Sequence, residues 1–340
     1  MTVSTKTRSS RYSIPVVRVE IAQATKSLRY NLRSIWLFTY SDIKTIWAPK
    51  TIFGTLSALA APSFGFATAA SPSTPIDVLR RVPLTAFWIW INLLPFDIDN
   101  QRHDVSIEED RINKPWRVLP SGRMNPKQAR KLMLCLYCIA AFVSGRIGGV
   151  AQCLGLMALG YWYNDLGGSD TSCIIRNFIN GLGYNCFASG ATEVALGMGL
   201  LPYTNVPLSL SEMLNPARPD RILFWKWVAI LVTVITTTAH AQDIHDQEGD
   251  SLRGRHTVPL VIGDVPARVS MVIGVWFWTF TCCLFWNVGI VPYLLIGSVA
   301  ATVSARTMLY RSVKSDKKTF LIWNGWVTTI YMLPVLKLWF

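Results

Sequence analysis

Long apolar segments separated by shorter polar ones dominate the chain from residue 34 onward. A helix needs roughly 20 mostly apolar residues to cross a bilayer, and about nine segments satisfy that requirement. They are centred near 50–70, 84–100, 130–146, 148–164, 174–200, 223–243, 268–287, 288–309 and 319–338. The pattern therefore predicts an all-α fold, a multi-pass transmembrane helical bundle of about nine helices.

Composition and charge support this membrane assignment. The chain has 340 residues, of which 51% are hydrophobic and only 16% charged, whereas soluble domains are about 25% charged. We therefore expect residues 34–340 to form a single transmembrane domain. The net charge of +13 concentrates in the N-terminal segment and in alternate loops, as the positive-inside rule requires. This distribution argues against nucleic-acid binding and predicts a cytosolic N terminus.

The first 33 residues are polar and basic and lack the apolar centre of a cleaved signal peptide. We expect residues 1–33 to be a disordered cytosolic tail. The endoplasmic reticulum membrane is the compartment expected for such a chain, and the sequence gives no indication of its oligomeric state.

Three carboxylates follow the sixth apolar segment, in the stretch AQDIHDQEGD. Asp243, Asp246 and Asp250 are spaced by three and seven residues, which places them on one helical face. Carboxylates crowded together repel one another unless a cation lies among them. Acidic residues at membrane depth are costly and usually functional. The spacing predicts a divalent-metal site, with Asp243 and Asp250 essential for catalysis.

A second acidic cluster follows the second apolar segment. If the helix continued, the spacing of four would place Asn100, Asp104 and Glu108 on one face, and Asp110 follows directly. Both clusters precede a basic stretch and a proline, which suggests two pseudo-repeated metal sites facing one central cavity. The alternative, ordinary acidic residues in solvated loops, stays open, most of all for Asp97 and Asp99.

Basic residues next to both clusters indicate a charge-rich anionic substrate, and diphosphate fits this description. Mg²⁺ binds through a few carboxylates together with substrate phosphate oxygens, so we expect Mg²⁺ as the cofactor. Lysine and arginine add charge-assisted hydrogen bonds. We expect the diphosphate to be bound by Lys114, Arg117, Arg253 and Arg255.

Polar residues at the ends of the fourth and fifth apolar segments form a third element. Tyr163 and Asp165 end the fourth segment, and Asn177 opens the fifth. We predict that Tyr163 and Asp165 take part in catalysis and that Asn177 contacts the diphosphate. The alternative is that the aromatic residues here anchor the helices at the membrane interface.

At these motifs the chain resembles the UbiA superfamily of intramembrane prenyltransferases, over about residues 35–338. The superfamily has nine transmembrane helices around a cavity and two aspartate-rich motifs, and it ionises a prenyl diphosphate with Mg²⁺. The second motif fits fully at Asp243, Asp246 and Asp250. The first departs, with Gln101 and Glu108 in place of two aspartates. This variant, with the stretch from Tyr163 to Gly168, resembles a fungal branch of membrane-bound terpene cyclases.

The resemblance implies a terpene cyclase that ionises farnesyl or geranylgeranyl diphosphate and closes it into rings. An alternative is a prenyltransferase that moves the same allylic cation to an aromatic or meroterpenoid acceptor. A third possibility is a transporter with intramembrane acids. We disfavour it because the acids crowd at the ends of two segments instead of following a path.

Overall fold

The computed structural model describes residues 14–66, 74–200 and 221–339, with side chains from residue 27 onward. Every regular element within these residues is helical, so the all-α prediction is confirmed. In chain order the helices are α1 Ile14–Thr39, a π-helical turn Ile43–Trp47, α2 Ala48–Leu59, α3 Pro75–Gln101, α4 Asp104–Asn113, α5 Pro126–Ile147, α6 Val150–Asn164, α7 Gly168–Thr171, α8 Cys173–Leu196, α9 Ile222–Thr238, a 3₁₀ turn Ala239–Ala241, α10 Asp243–Arg253, α11 Val258–Ile262, α12 Asp264–Trp286, α13 Ile290–Leu309, α14 Val313–Ile330 and α15 Leu333–Leu336.

Helix α1 begins inside the segment predicted to be a disordered tail. It starts at Ile14 and continues to Thr39, while residues 1–13 lie outside the described part of the chain. Its last turns pack against α3, where Phe38 is fully buried in one cluster with Leu94 and Ile98. This contact makes the end of α1 part of the bundle.

Four of the described helical segments are long and apolar enough to cross a bilayer by length and composition. They are Ile222–Ala241, Asp264–Trp286, Ile290–Leu309 and Val313–Leu336. Helices α3, α5 and α8 have 27, 22 and 24 residues, or lengths of about 40, 33 and 36 Å. Their polar residues lower the hydropathy of these helices. The multi-pass bundle is therefore observed, whereas the count of nine crossings remains a prediction.

Helix α8 lies at the centre of the bundle, against α2, α3, α6 and α9. Small residues allow the close approach, since a Cβ atom at Gly190 would overlap the indole of Trp88. Near the C-terminal end of α8 the buried Glu193 accepts hydrogen bonds from the backbone N–H of Gly149 at 3.1 Å, from Gln152 Nε2 at 3.0 Å and from the backbone N–H of Leu200 at 2.9 Å. This acid therefore joins α6 to α8.

Candidate active site

Both acidic motifs lie where a long helix breaks. Helix α3 ends at Gln101 and a separate helix, α4, begins at Asp104. Likewise α9 ends at Thr238, a 3₁₀ turn follows, and the short α10 begins at Asp243. Helices α4 and α10 pack against each other. Gly249 permits the contact because a Cβ atom there would overlap the side chain of Asn113.

A polar chamber of about 130 Å³ lies between these two helix breaks. Its lining residues are Asp42, Asn100, Ser106, Glu109, Asp110, Lys114, Arg117, Tyr163, Arg176, Gln242, Asp246, Asp250, Arg253 and Arg255. Five of these side chains are acidic and five are basic, so their formal charges balance. The chamber therefore combines residues of both predicted metal motifs with all four basic residues predicted to bind diphosphate.

A second, inner chamber of about 110 Å³ adjoins the polar one. Four residues line both chambers, namely Asp42, Asn100, Tyr163 and Gln242. Beyond this boundary the lining is largely aliphatic and aromatic, from Ile46, Phe96, Leu156, Leu159, Ile179, Tyr184 and Phe187, although Asp97 and Asn180 also line it. The two chambers together form the central cavity expected from the sequence.

Asp243 reaches the polar chamber through Arg176. The Arg176 guanidinium donates from Nη2 to Asp243 Oδ1 at 2.9 Å and from Nη1 to Tyr163 Oη at 2.7 Å. Both partners of this ion pair are buried, with side-chain exposures of 5% for Arg176 and 1% for Asp243. Arg176 therefore links the second acidic motif to Tyr163 at the boundary between the chambers.

Arg253 and Arg255 extend from the end of α10 across to α4 and α7. Arg255 Nη1 lies 2.9 Å from Asp250 Oδ1 and 3.1 Å from Glu109 Oε1. Arg253 Nη1 lies 3.3 Å from Glu109 Oε2 and 2.7 Å from Ser106 Oγ. Both guanidinium groups also approach Asp170. Glu109 is thus shared by the two arginines predicted to bind diphosphate.

Asp110 forms a buried ion pair with Arg117 on the other side of the polar chamber. Arg117 Nη1 donates to both carboxylate oxygens, at 2.9 and 2.8 Å, and Arg117 is 7% exposed. A charge-assisted contact of this kind compensates both side chains. Asp110 and Arg117 therefore line the chamber as a pair in the resting structure.

Besides Asp243, which is connected to the polar chamber only through Arg176, four predicted site residues do not line it. Asp104 and Glu108 line a separate surface pocket with Arg111, because α4 is a new helix and the spacing from Asn100 does not continue across the break. Asp165 pairs with Arg102 at 2.5 Å. Asn177 is buried in α8, and its Oδ1 has no hydrogen-bond partner among the described residues, but it lines neither chamber.

Asp42, Gln242 and Asp170 are among the site residues that were not predicted from the sequence. Asp42 precedes the π-helical turn and Gln242 precedes α10, and both line the polar chamber. Asp170, in α7, does not line the chamber but pairs with Arg253 and Arg255. Gln242 directly precedes the second motif, so its position was a usable signal. Asp42 and Asp170 belong to no recognisable acidic motif, and only the tertiary structure brings them to the site.

Comparison with known proteins identifies this arrangement. The profile of the UbiA prenyltransferase family matches residues 100–326, which is more than half of the chain. The chain belongs to the UbiA prenyltransferase family. The family match confirms the resemblance and supports an integral membrane location.

Relatives of this UbiA-family protein include both synthases and transferases. It is 26% identical to fumagillin beta-trans-bergamotene synthase of Aspergillus fumigatus, over 89% of this chain and 92% of that one. It is 26% identical to the somaliensene A/B synthase of Streptomyces somaliensis, over 86% and 89% of the two chains. A polyprenyl transferase of Hericium erinaceus is 25% identical over 75% and 81%. The prediction of an enzyme of terpene-cyclase or prenyltransferase type is confirmed.

Solved structures share the fold of this UbiA-family protein. A UbiA homologue from Aeropyrum pernix K1 superposes with a TM-score of 0.58 at 17% identity, covering 84% of this chain and 96% of that one. A UbiA homologue from Archaeoglobus fulgidus, bound to DMAPP and Mg²⁺, gives a TM-score of 0.51 at 14% identity, covering 86% and 96%. At these identities the likeness establishes the helical fold alone.

The polar chamber of this UbiA-family protein suits a hard divalent cation. The Asp243 and Asp250 carboxylates each have a buried oxygen, Oδ2, that meets no hydrogen-bond donor among the described residues. Burial, followed by the negative charge of Asp243, raises the pKa of the Asp250 carboxyl to about 6. A cation between two such carboxylates would relieve both their repulsion and their unmet hydrogen-bonding capacity.

A second acidic cluster in this UbiA-family protein already contains an arginine. Asp99, His103 and Asp165 bring one ligand atom each within 4.8 Å of one another. However, Arg102 bonds Asp99 Oδ1 at 2.8 Å and Asp165 Oδ1 at 2.5 Å. Burial also lowers the pKa of His103. We therefore interpret this group as an ion-pair cluster that fixes the end of α3 against α6.

Proposed function

We propose that this protein is a Mg²⁺-dependent class I terpene cyclase acting on farnesyl or geranylgeranyl diphosphate. One observation carries the proposal: the charge-lined polar chamber and the largely apolar inner chamber share Asp42, Asn100, Tyr163 and Gln242. A prenyl diphosphate has the same division into a charged head and an apolar tail. It would place its head in the first chamber and its tail in the second.

The charge balance of the polar chamber explains why a metal would be needed. Five acidic and five basic side chains leave no excess positive charge for a diphosphate. Bound Mg²⁺ would neutralise the phosphate oxygens and make diphosphate a better leaving group. We propose that Asp243, Asp246, Asp250 and Asn100 hold the metal, and that Glu109 joins them in place of Asp104 and Glu108.

The basic residues would bind the diphosphate head directly. Arg253 and Arg255 are held by Glu109 and Asp250 in the resting structure. A diphosphate entering the chamber offers these guanidinium groups stronger charge-assisted bonds than a shared carboxylate does. Lys114 and Arg117 would contact the head from the side of α4. This exchange would leave Glu109 and Asp250 free to hold metal.

Cleavage of the allylic C–O bond would leave its electron pair on the diphosphate and a carbocation on the chain. A double bond of the same chain would then attack that cation, and loss of a proton would form the final alkene. The inner chamber would exclude water, which otherwise ends the reaction early. Its aromatic residues would stabilise positive charge through their ring faces.

The proposal is tested with purified protein in detergent, Mg²⁺ and a single prenyl diphosphate. We expect cyclic hydrocarbon or terpene alcohol in the organic extract, together with released diphosphate, and neither product after chelation of the metal. Feeding the C10, C15 and C20 diphosphates in turn would identify the substrate. Intact prenyl diphosphate with all three would refute the proposed function.

Prenyl transfer is the second candidate, and the relationship to the polyprenyl transferase of Hericium erinaceus favours it. It needs the same ionisation and an additional acceptor. The assay above separates the two candidates, since a transferase would release little diphosphate until an aromatic or meroterpenoid acceptor is added.

The assignment of residues 1–33 to a cytosolic tail and of residues 34–340 to one prenyl-diphosphate-binding domain remains part of this proposal. So does residence in the endoplasmic reticulum membrane, on the basis of the basic N-terminal segment. Fluorescent tagging of the N terminus with protease protection in permeabilised cells would test both compartment and orientation.

A further inference from the structure

Lys50 is a fully buried amine within the membrane domain. It lies in the first turn of α2 with 0% exposure, and its Nζ donates a hydrogen bond to the hydroxyl of Tyr331. No ion pair among the described residues includes Lys50. Burying an amine without a carboxylate partner is costly, and an ionisable residue at membrane depth is by default a candidate functional residue.

Two aromatic rings surround the Lys50 amine. Its Nζ lies 4.7 Å from the ring centroid of Tyr184 and 4.7 Å from that of Tyr331. Tyr331 is fixed in turn by Phe53, whose ring meets it edge-on with centroids 4.8 Å apart. Lys50 therefore connects the Tyr331–Phe53 pair to the ring of Tyr184. We call Lys50, Tyr184 and Tyr331 the amine–phenol cluster.

The amine–phenol cluster lies directly behind the wall of the inner chamber. Tyr184 itself lines that chamber, and so does Ile46, one helical turn before Lys50. Tyr331 and Lys50 do not line it, so neither is positioned to contact the substrate. Tyr184 is thus the member of the cluster that faces the cavity, and the Lys50 amine lies 4.7 Å from the centroid of its ring.

We propose that Lys50 is a positioning residue that holds the Tyr184 ring as a fixed wall of the inner chamber and thereby controls which product forms. This inference rests on the proposed cyclase function. A carbocation folds against the surfaces around it, and a ring free to rotate would present a different surface in each turnover. Ionisation takes place in the polar chamber, so Lys50 should affect product choice much more than diphosphate release.

The test is Lys50→Met, which keeps an unbranched side chain of similar length but removes the N–H donor and the cation. We expect diphosphate release within about threefold of the wild type, because the polar chamber is untouched. The ratio of the main cyclic product to all other prenyl products, measured by gas chromatography, should fall at least tenfold. The melting temperature should be unchanged or higher, since a buried amine is replaced by an apolar group.

Further variants of the cluster separate positioning from general packing. Tyr331→Phe removes only the hydroxyl acceptor and should lower the product ratio in the same direction but less. Tyr184→Leu already removes the ring that forms this wall of the inner chamber, so adding Lys50→Met to that variant should not change the product ratio further. Lys44→Met is the matched control, because Lys44 is an exposed lysine in the preceding π-helical turn and its loss should leave the ratio unchanged.

Each outcome supports or overturns the inference. An unchanged product ratio in Lys50→Met, with active wild-type protein, overturns the positioning role and leaves the cyclase proposal intact. A parallel fall in melting temperature and turnover at constant ratio shows a packing role and also overturns it. If Lys50→Met does not fold, Tyr331→Phe decides by the same ratio. Absence of diphosphate release from the wild type defeats the cyclase proposal, and the inference with it.

Discussion

Two successive glutamates of α4 provide a stringent test of the proposed site. The sequence spacing assigned Glu108 to the metal site, whereas in the structure Glu109 faces the polar chamber. Successive helical residues point about 100° apart. Glu109 is 13% exposed and bonds Arg253 and Arg255 at 3.3 and 3.1 Å. Glu108 is 67% exposed, and within the described ranges its ion-pair partner is Arg111.

The structure sets the size of the expected difference. Glu109 is a proposed metal ligand, and Glu109→Gln keeps one oxygen but loses the charge that would hold the cation. We therefore expect a loss of about 3 kcal/mol of transition-state stabilisation, or about 10²-fold in kcat/KM. An exposed pair such as Glu108–Arg111 contributes at most about 1 kcal/mol to stability, and Glu108→Gln should change kcat/KM by no more than about threefold.

Both glutamate variants are assayed for diphosphate release at saturating Mg²⁺, with melting temperatures as the folding control. Because the substitution is identical and the positions are adjacent, differences in expression or detergent extraction should affect both alike. Equal losses, or a larger loss for Glu108→Gln, would refute the assignment of Glu109 to the site and restore the assignment made from spacing.

Three further predictions follow from the same chambers. Asp243→Asn keeps an acceptor for Arg176 but removes the charge, and we expect turnover in the diphosphate-release assay to fall by about 10³-fold, roughly 4 kcal/mol. Near-normal turnover would exclude Asp243 as a metal ligand. The pKa of Asp250 is raised to about 6, so protons should compete with metal below that pH. The Mg²⁺ concentration for half-maximal turnover should then rise about tenfold per pH unit, and a value independent of pH would contradict this. Gly183 lines the inner chamber, and a Cβ atom there meets nothing within 4 Å, so Gly183→Leu should lower kcat/KM for the longest accepted diphosphate at least tenfold relative to the next shorter one. Gly325→Leu, at another open helical glycine, is the control and should leave that ratio unchanged. Equal ratios in the two variants would contradict the prediction.

The sequence determined the features that depend on local periodicity and composition. Apolar segments predicted a helical membrane bundle, because a chain in lipid must satisfy its backbone hydrogen bonds within each helix. The spacing of Asp243, Asp246 and Asp250 within one unbroken helix predicted that the three carboxylates share one face, and Asp246 and Asp250 both line the polar chamber. No distant contact was needed for that inference.

The tertiary structure decided everything that depends on a helix break or on a distant partner. Helix α3 ends at Gln101 and a new helix, α4, begins at Asp104. Because the helical periodicity was counted across this break, it assigned Asp104 and Glu108 to the site. In the structure, Glu109 and Asp110 of α4 line the chamber instead. Asp165 binds Arg102, and Asp42 and Asp170 reach the site from remote segments. Helical periodicity is a short-range property. Packing between segments far apart in the chain fixes the orientation of each new helix and the partner of each charged side chain.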